Sequence, residues 1–279
     1  MTGVDVRMFT VGPVQENAYI VMAGRERGRA VMVDPGDEPE RLLAAAGALG
    51  VEIEAILITH CHFDHIGAVA PLARATGAPV YCPEIERTLL SDIVSWTPPG
   101  FGPFEGWEPE HTVAGGERLT LAGLEIEVLF TPGHSPGHVT YAIAPAGESS
   151  ADTAPSGNAP AAAAMPGSHH AGAGGSAGSV GEAPALLSDH AGAGGSAGSV
   201  GEAPALLSGD VLFQGSVGRV DLPGGDWSVL ERSIATLMER FPEDTVVYPG
   251  HMGVTTLGRE LQGNPFLTEL RSTAGAPAT

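Results

Sequence analysis

The stretch Thr59-His60-Cys61-His62-Phe63-Asp64-His65 places three imidazoles and a carboxylate within six residues, directly after an apolar run. Crowded at one strand end, these side chains would lose hydration and repel one another when protonated, yet together they make a good ligand shell for zinc or iron. The apolar run, residues 53–58, predicts a buried strand that carries the cluster at its carboxyl end. The stretch therefore predicts a metal site at the edge of a sheet.

Three later residues of the same chemistry also follow predicted strands. The pairs are residues 124–130 with His134, 205–209 with Asp210, and 245–248 with His251. A lone histidine beside glycine is more often structural than a ligand. Each of these three residues nonetheless follows a predicted strand end, as the first cluster does.

Strand and helix signals alternate along the first part of the chain. Short β-rich runs are predicted at 4–9, 18–22, 30–33, 53–58 and 78–81, and helices with one apolar face at 39–49 and 66–76. Pro39 opens the first helix and Gly50 ends it. Asp226 is predicted to cap a later helix that ends at Arg240. This alternation indicates an α/β fold.

The composition limits the class of partner and the compartment. The 279 residues include 33 acidic and 13 basic side chains, and the basic ones are all arginine, for a formal charge of -20. Net repulsion from phosphates argues against nucleic acid, whereas a small anionic substrate is compatible if bound metal reverses the local field. Two cysteines, Cys61 and Cys82, make no disulfide framework. With no apolar run at the N-terminus, no signal peptide or membrane span is expected, and the predicted location is the cytoplasm.

Residues 145–205 are rich in Ala, Gly, Ser and Pro and contain a direct repeat. The string HAGAGGSAGSVGEAPALLS occurs at 170–188 and again at 190–208, a period of 20 residues. Two polar copies are too few to stack as a solenoid. The segment therefore predicts a disordered insertion in a single domain of about 220 residues. Asp189 ends the first copy without the glycine that precedes Asp210, so Asp189 is not expected to bind metal.

Two further features each have two interpretations. Residues 91–111 are rich in Pro, Gly and large rings without a clear period, which suits either a substrate lid or a cover over one edge of the core. Asp34, in a strand-ending Asp-Pro-Gly-Asp turn, either braces the metal loops as a hydrogen-bond acceptor or caps the turn.

The ligand-type residues resemble the pattern of the metallo-β-lactamase superfamily; they are His60, His62, Asp64, His65, His134, Asp210 and His251. The resemblance covers nearly all of the chain except the insertion. Shorter motifs are similar to those of the short, one-domain glyoxalase II-like hydrolases: GDVLF at 209–213, GRVD at 218–221, TTLG at 255–258 and NPF at 264–266. The resemblance implies a four-layer αββα sandwich in which both sheets end at one shallow metal cleft.

The same resemblance implies two divalent metal ions, with zinc expected and iron or manganese compatible with the ligands. Each ion would take three ligands of its own and share a fourth: His60, His62 and His134 hold the first ion, Asp64, His65 and His251 hold the second, and Asp210 bridges them. His138, four residues past His134, is left out of this shell. Two ions about 3.5–4 Å apart can share a water and lower its pKa towards about 7, and Asp64 could also orient the resulting hydroxide.

The implied reaction is hydrolysis of a thioester, such as an S-acyl derivative of a small thiol. One metal ion would stabilise the charge on the carbonyl oxygen, and a thiolate leaves readily because its pKa is about 8.5. A rival of a different class is a persulfide dioxygenase, with one iron held by the equivalents of His60, His134 and Asp210. A non-enzymatic member, a lactonase and a β-lactamase rank below these two.

Few basic groups are available to recognise the thiol. Full-length glyoxalase II enzymes carry a helical C-terminal domain and basic residues that grip glutathione, whereas this chain ends soon after Phe266 and has no lysine. Arg219 and Arg259 are the basic groups nearest the motifs and are predicted to hold a substrate carboxylate. The expected partner is a small-molecule thioester, with neither nucleic acid nor membrane.

Overall fold

The computed structural model describes residues 3–24, 28–146, 204–268 and 270, and two six-stranded sheets dominate them. In spatial order the first sheet contains β1 (Val4–Val11), β2 (Glu16–Ala23), β3 (Arg29–Val33), β4 (Glu52–Leu57), β5 (Val80–Pro83) and β6 (His111–Val113). The strands from β1 to β3 pair antiparallel, and those from β3 to β6 pair parallel. Strand β4 is an interior strand that leads directly into the histidine cluster.

The second sheet is built from the later part of the chain. Its strands are β7 (Arg118–Leu121), β8 (Leu124–Phe130), β9 (Val139–Pro145), β10 (Ala205–Gly209), β13 (Val246–Pro249) and β14 (Thr255–Thr256). Between β10 and β13 the chain forms a separate short hairpin of β11 (Leu212–Phe213) and β12 (Ser216–Val217). The spatial order is β14, β13, β10, β9, β8, β7. Because β9 is antiparallel to both β8 and β10, and β10 is parallel to β13, the carboxyl ends of β8, β10 and β13 lie at the same edge.

Helices lie on the outer faces of both sheets. They are α1 (Pro39–Leu49), α2 (Phe63–Ile66), α3 (Val69–Thr76), α4 (Arg87–Ser91), α5 (Ile93–Trp96), α6 (Trp227–Arg240) and α7 (Leu257–Gly263), with 3-10 turns at Glu84–Glu86 and Pro265–Leu267. In the described ranges, no helix combines the length and the apolar character needed to cross a membrane.

Three buried apolar layers hold this arrangement together. Leu42 of α1 and Leu72 of α3 pack against the first sheet, and Leu230 of α6 packs against the second. Between the sheets, Leu57 and Tyr141 belong to a shared layer with no exposed surface on either side chain. Each large apolar side chain buried in this way contributes about 1.5–3 kcal/mol. The predicted four-layer αββα arrangement is confirmed.

Two helices begin and end as the sequence predicts. Asp226 Oδ1 accepts a hydrogen bond from the Val229 N–H at 3.1 Å, which satisfies an otherwise unpaired donor at the start of α6. Helix α1 begins at Pro39 and is ended by Gly50, whose φ of 67° lies in the left-handed region that glycine adopts without strain.

The predicted helix over residues 66–76 is wrong at its start. Helix α2 already begins at Phe63, so Asp64 and His65 lie inside a helical turn, and residues 67 and 68 separate it from α3. Helix α2 is one turn long and His62 provides no side-chain cap, so the sequence carries neither periodicity nor a capping signal for it. Within residues 91–111, α5 forms at Ile93–Trp96 and β6 begins at His111, while residues 97–110 contain neither helix nor strand, as the lack of a period predicts.

The predicted insertion, residues 145–205, lies outside the described residues except for its first two and last two positions. Those ends are close in space, because Ala205 pairs with Ile143 across antiparallel strands about 4.7–4.9 Å apart. A loop of a few residues can therefore join β9 to β10. The insertion remains a prediction.

Replacing residues 148–202 with a short Gly/Ser linker is expected to leave hydrolysis within about twofold of the full chain, because a short loop closes antiparallel neighbours at little entropic cost. Steady-state kinetics and thermal unfolding of both chains check this. Loss of folding in the shortened chain would contradict the prediction of a dispensable insertion.

Candidate metal centre

The carboxyl ends of β4, β8, β10 and β13 converge at one edge, and the seven predicted ligands lie together there. Three imidazole nitrogens form a first group, in which His62 Nδ1 lies 3.1 Å from His60 Nε2 and 2.9 Å from His134 Nε2. Two nitrogens that share a tetrahedral zinc at about 2.0–2.1 Å are about 3.3 Å apart. The first group is therefore spaced almost as a metal shell.

A second group lies beside the first. His251 Nε2 is 3.4 Å from Asp64 Oδ2, and His65 Nε2 is 3.4 Å from Asp210 Oδ1. The other oxygen of Asp210, Oδ2, lies 3.5 Å from His134 Nε2 and 3.6 Å from His251 Nε2. Asp210 thus faces both groups with one carboxylate.

Backbone carbonyls fix the tautomers of two histidines. His134 Nδ1 is 2.7 Å from the Arg219 carbonyl oxygen, and His251 Nδ1 is 3.3 Å from that of Gln15. A carbonyl oxygen only accepts, so Nδ1 carries the proton in both rings. The lone pair at Nε2 is consequently left for a metal ion.

Asp34 fixes the tautomers of two more histidines, His65 directly and His60 through Thr59. Its Oδ2 accepts from His65 Nδ1 at 3.1 Å and from Thr59 Oγ1 at 2.6 Å. Because the Thr59 hydroxyl gives its proton to Asp34, its oxygen accepts from His60 Nδ1 at 3.1 Å. Asp34 therefore braces the cluster, in agreement with one of its two sequence interpretations.

Burial keeps His60 and His62 of the first group neutral. Burial, together with the neighbouring His65 and His62, lowers the pKa of His60 well below its usual value. Burial, followed by repulsion from His134 and His65, lowers the pKa of His62 to about 4. Neutral imidazole is the metal-binding form, so both rings are ready to bind at neutral pH.

Carboxylates dominate the second group. Burial alone would raise the pKa of Asp210, but the charge of His65, whose Nε2 lies 3.4 Å from Asp210 Oδ1, holds that pKa well below the usual range. Against the same effect of burial, the hydrogen bond from His251 and the charge of His65 lower the pKa of Asp64. Burial raises the pKa of the nearby Glu16 well above its usual value, so the negative charge is that of Asp210 and Asp64, and no arginine is among the buried charged residues of the described ranges. This excess of negative charge favours cations.

The donor atoms and their surroundings fit metal ions. His65 Nε2 and Asp210 Oδ1 are both buried and lack a hydrogen-bond partner, a state that a cation between them would satisfy. Residue 250 has to be glycine, since a Cβ there would lie 2.2 Å from Asp210 Oδ1. Imidazole nitrogens with carboxylate oxygens suit zinc, manganese or iron.

The sequence model of the metallo-beta-lactamase superfamily matches residues 11–147 and 157–251, which include all seven clustered residues. The chain belongs to this superfamily. It is a superfamily of metallo-hydrolases whose fold binds divalent metal ions, typically two. The four-layer architecture and the metal-type cluster of this chain agree with that membership.

Known members of the superfamily carry different names. The chain is 26% identical over 266 residues to hydroxyacylglutathione hydrolase GloC of Haemophilus influenzae. This match covers 94% of this chain and 98% of GloC. The solved structure of TTHA1623 in a di-iron-bound form is 36% identical, with a TM-score of 0.64 over 94% of this chain and 100% of that one. BLEG-1, a B3 metallo-beta-lactamase, is 31% identical with a TM-score of 0.68 over 95% and 100%. Superfamily membership alone therefore does not name the substrate.

His138 is excluded as a ligand by its own hydrogen bonds. Its Nε2 accepts from the Asp210 backbone N–H at 3.0 Å, so its proton is on Nδ1, which lies 3.1 Å from Thr131 Oγ1. Both ring nitrogens are thus used. The ring instead holds the backbone of Asp210, and His138 stays outside the proposed metal shell as the sequence predicts.

A His138→Ala variant is expected to bind metal about 10–100-fold more weakly, because the Asp210 N–H loses its buried acceptor and the carboxylate is no longer oriented. Chelator competition on purified protein measures the change. His111→Ala, at an exposed ring stacked on Tyr81, is the matched control and should match wild type. Equal metal affinity in the two variants would contradict this role for His138.

Sequence reasoning missed two residues that hold the His251 loop of this superfamily member. Asn17 Nδ2 donates to the carbonyls of Pro249 at 3.1 Å and Met252 at 2.9 Å. The Tyr19 hydroxyl also donates to Pro249 O, at 2.6 Å. The only sequence signal is a polar Glu16-Asn17 pair that opens an otherwise apolar strand.

The two arginines that were predicted to hold a substrate carboxylate, Arg219 and Arg259, differ in their ion pairing. The Arg219 guanidinium forms a two-point ion pair with the exposed Asp221, at 2.7 Å for each contact. Its backbone carbonyl, rather than its charge, reaches the metal cluster. Arg259 is exposed on α7, and in the described ranges its side chain has no ion-pair partner and no contact with the cluster.

Aromatic side chains of residues 91–111 reach the metal cluster through Phe63. The Phe63 ring centroid lies 4.8 Å from that of Phe101 and 6.2 Å from that of Phe104. Trp107 and Phe104 also pack against the outer core of the first sheet. The segment therefore covers a core edge and at the same time borders Asp64, so the two interpretations are not exclusive.

Proposed function

We propose that this chain is a metal-dependent hydrolase that cleaves thioesters of small thiols in the cytoplasm, with two zinc ions as its resident metals. In this proposal His60, His62 and His134 hold the first ion, Asp64, His65 and His251 hold the second, and Asp210 bridges them. The observation that carries it is the position of Asp210 Oδ2, 3.5 Å from a nitrogen of the first group and 3.6 Å from one of the second.

Divalent ions at these positions supply a hydroxide nucleophile at neutral pH and charge stabilisation for a carbonyl oxygen. The protein's residues set the geometry. Asp64 is partly exposed beside His251, where its carboxylate can accept the nucleophile's proton and aim the oxygen at the substrate carbonyl. Because a thiolate with a pKa of about 8.5 leaves without protonation, the reaction needs no separate general acid.

The proposed preference for thioesters rests on the similarity to GloC, which is named a hydroxyacylglutathione hydrolase. The match covers 98% of the length of GloC. Recognition of the thiol is proposed to involve Arg219 and Arg259. Arg219 can release the exposed Asp221 and hold a substrate carboxylate instead, since solvent screens an ion pair at the surface and leaves it weak. The exchange costs little, so Arg219 remains available to an anionic thiol.

Metal analysis paired with two assays tests the proposal. The purified chain is expected to hold two ions and to release free thiol from S-acyl derivatives of small thiols. The same preparation is then given a persulfide while oxygen uptake is recorded, and a β-lactam while ring opening is recorded. One iron per chain with oxygen uptake, or ring opening faster than thioester cleavage, would refute the thioesterase assignment.

A further inference from the structure

Glu86 is a buried carboxylate that touches neither metal group yet joins the two loops that carry the first one. It ends the 3-10 turn Glu84–Glu86 and is 1% exposed. One oxygen accepts from the Cys61 backbone N–H at 2.6 Å. The other accepts from the Gly137 N–H at 2.8 Å and from the Ser135 hydroxyl. A single side chain thus satisfies three donors from two distant segments.

The positions of these donors connect Glu86 to the metal ligands. Cys61 is the residue between His60 and His62, and Ser135 directly follows His134. All three ligands of the first group therefore lie within one residue of a group that Glu86 holds. A buried donor that loses its acceptor is costly to leave unpaired, so the link resists movement of either loop.

The second group is braced by different residues. His65 is held by Asp34, and His251 by the Gln15 carbonyl and by the contacts of Asn17 with the loop around it. None of the described hydrogen bonds of Glu86 reaches these segments. Glu86 therefore supports the first group alone, whereas Asp34 supports His65 and, through Thr59, also His60.

Close packing leaves Glu86 little freedom to choose another position. A Cβ added at Gly137 would lie 2.7 Å from Glu86 Cγ and 3.1 Å from Oε1, so residue 137 fits against the carboxylate only as glycine. The 3-10 turn carries Glu86 on its inner side, while Glu84 of the same turn is exposed. The carboxylate is consequently aimed at the loops by its surroundings.

We propose that Glu86 is a positioning residue that sets the spacing of His60, His62 and His134, and so tunes metal affinity at this group and not at the other. The inference rests on the two-metal site of the proposed function. A substitution at Glu86 would therefore change the affinity of the protein for one ion and leave its affinity for the other unchanged.

Glu86→Gln in the full chain tests the rule, with Glu84→Gln as the matched control. Glutamine keeps the shape but replaces one acceptor oxygen with an NH2 group, so at least one buried donor loses its partner. Zinc-loaded protein is titrated with a chelator while bound metal is measured. In Glu86→Gln one ion should dissociate about 10–100-fold more readily and the other within about twofold of wild type. Glu84→Gln should match wild type at both.

Ser135→Ala supplies a second measurement if Glu86→Gln folds poorly. It removes one donor and leaves the carboxylate buried, so a smaller weakening of the same single ion is expected. Equal weakening of both ions, or none in either variant, would overturn the role of Glu86. Failure of the proposed function is recognised separately, because it shows in the wild type as fewer than two ions or no thioester cleavage. If wild type holds one ion, unchanged affinity for it in Glu86→Gln also overturns the inference.

Discussion

Asp210→Ala is expected to lower kcat/KM for hydrolysis by about 10³-fold or more. The substitution removes a carboxylate that faces both groups, at 3.5 Å from His134 Nε2 and 3.6 Å from His251 Nε2. Without a shared ligand the two ions would not hold one nucleophile between them, and the pKa of an unactivated water lies far above the value of about 7 that bound metal produces. It also leaves His65, whose pKa the Asp210 charge raises against the effect of burial, without its partner.

Kinetics and metal content of the same preparation measure the effect. Metal content is expected to fall below two ions per chain, because Asp210 contributes to both. Asp189→Ala is the control, since that aspartate ends the first copy of the repeat and is not predicted to bind metal. Near-normal hydrolysis by Asp210→Ala would contradict the bridged two-metal arrangement.

Asp34→Ala is expected to cost the metal-free protein about 3–5 kcal/mol in the free energy of unfolding. Its carboxylate is 2% exposed and accepts from Thr59 N at 2.7 Å, Thr59 Oγ1 at 2.6 Å and His65 Nδ1 at 3.1 Å. Alanine leaves all three donors buried without an acceptor, the change that is most destabilising for buried polar networks. The melting temperature should fall by roughly 10 °C, at about 2–4 °C per kcal/mol for a domain of this size.

Denaturant unfolding of metal-free wild type, Asp34→Ala and Asp34→Asn gives the comparison. Asparagine keeps one acceptor oxygen and should fall between the other two. Metal affinity should drop along the same order, because the Nδ1 proton that leaves Nε2 free on His60 and His65 is fixed through Asp34. A loss under about 1 kcal/mol in Asp34→Ala would contradict the bracing role.

Local signals in the sequence predicted much of the fold. The apolar run of residues 53–58 leads into the cluster as β4, and Asp226 caps α6 by the hydrogen bond that its position suggests. These features depend on a few neighbouring residues, so pattern and propensity are sufficient. The alternation of strands and helices likewise predicted an α/β fold, and the resemblance to the metallo-β-lactamase superfamily implied the four-layer arrangement.

Contacts between distant residues could not be predicted from one sequence. Glu86 and Gly137 are 51 positions apart, and Asn17 and Pro249 are 232 apart, so nothing near either residue indicates its partner. Helix α2 was not predicted for the opposite reason, since a single uncapped turn is too short to show a helical period in the sequence. The clustering of the seven ligand-type residues was predicted, whereas the groups that orient them, apart from Asp34, were not.

Strand β4 of the first sheet and strands β8, β10 and β13 of the second deliver their side chains to one edge, so either proposed ion would take ligands from both sheets. A bound metal ion would then hold the two sheets together at this edge. Metal-starved protein should open first at this edge, where three buried carboxyl groups, those of Glu16, Asp34 and Asp210, would lie beside the imidazoles without a cation to bind them. Such opening would expose the chain to proteases, and the abundance of the protein in a cell would follow the supply of metal.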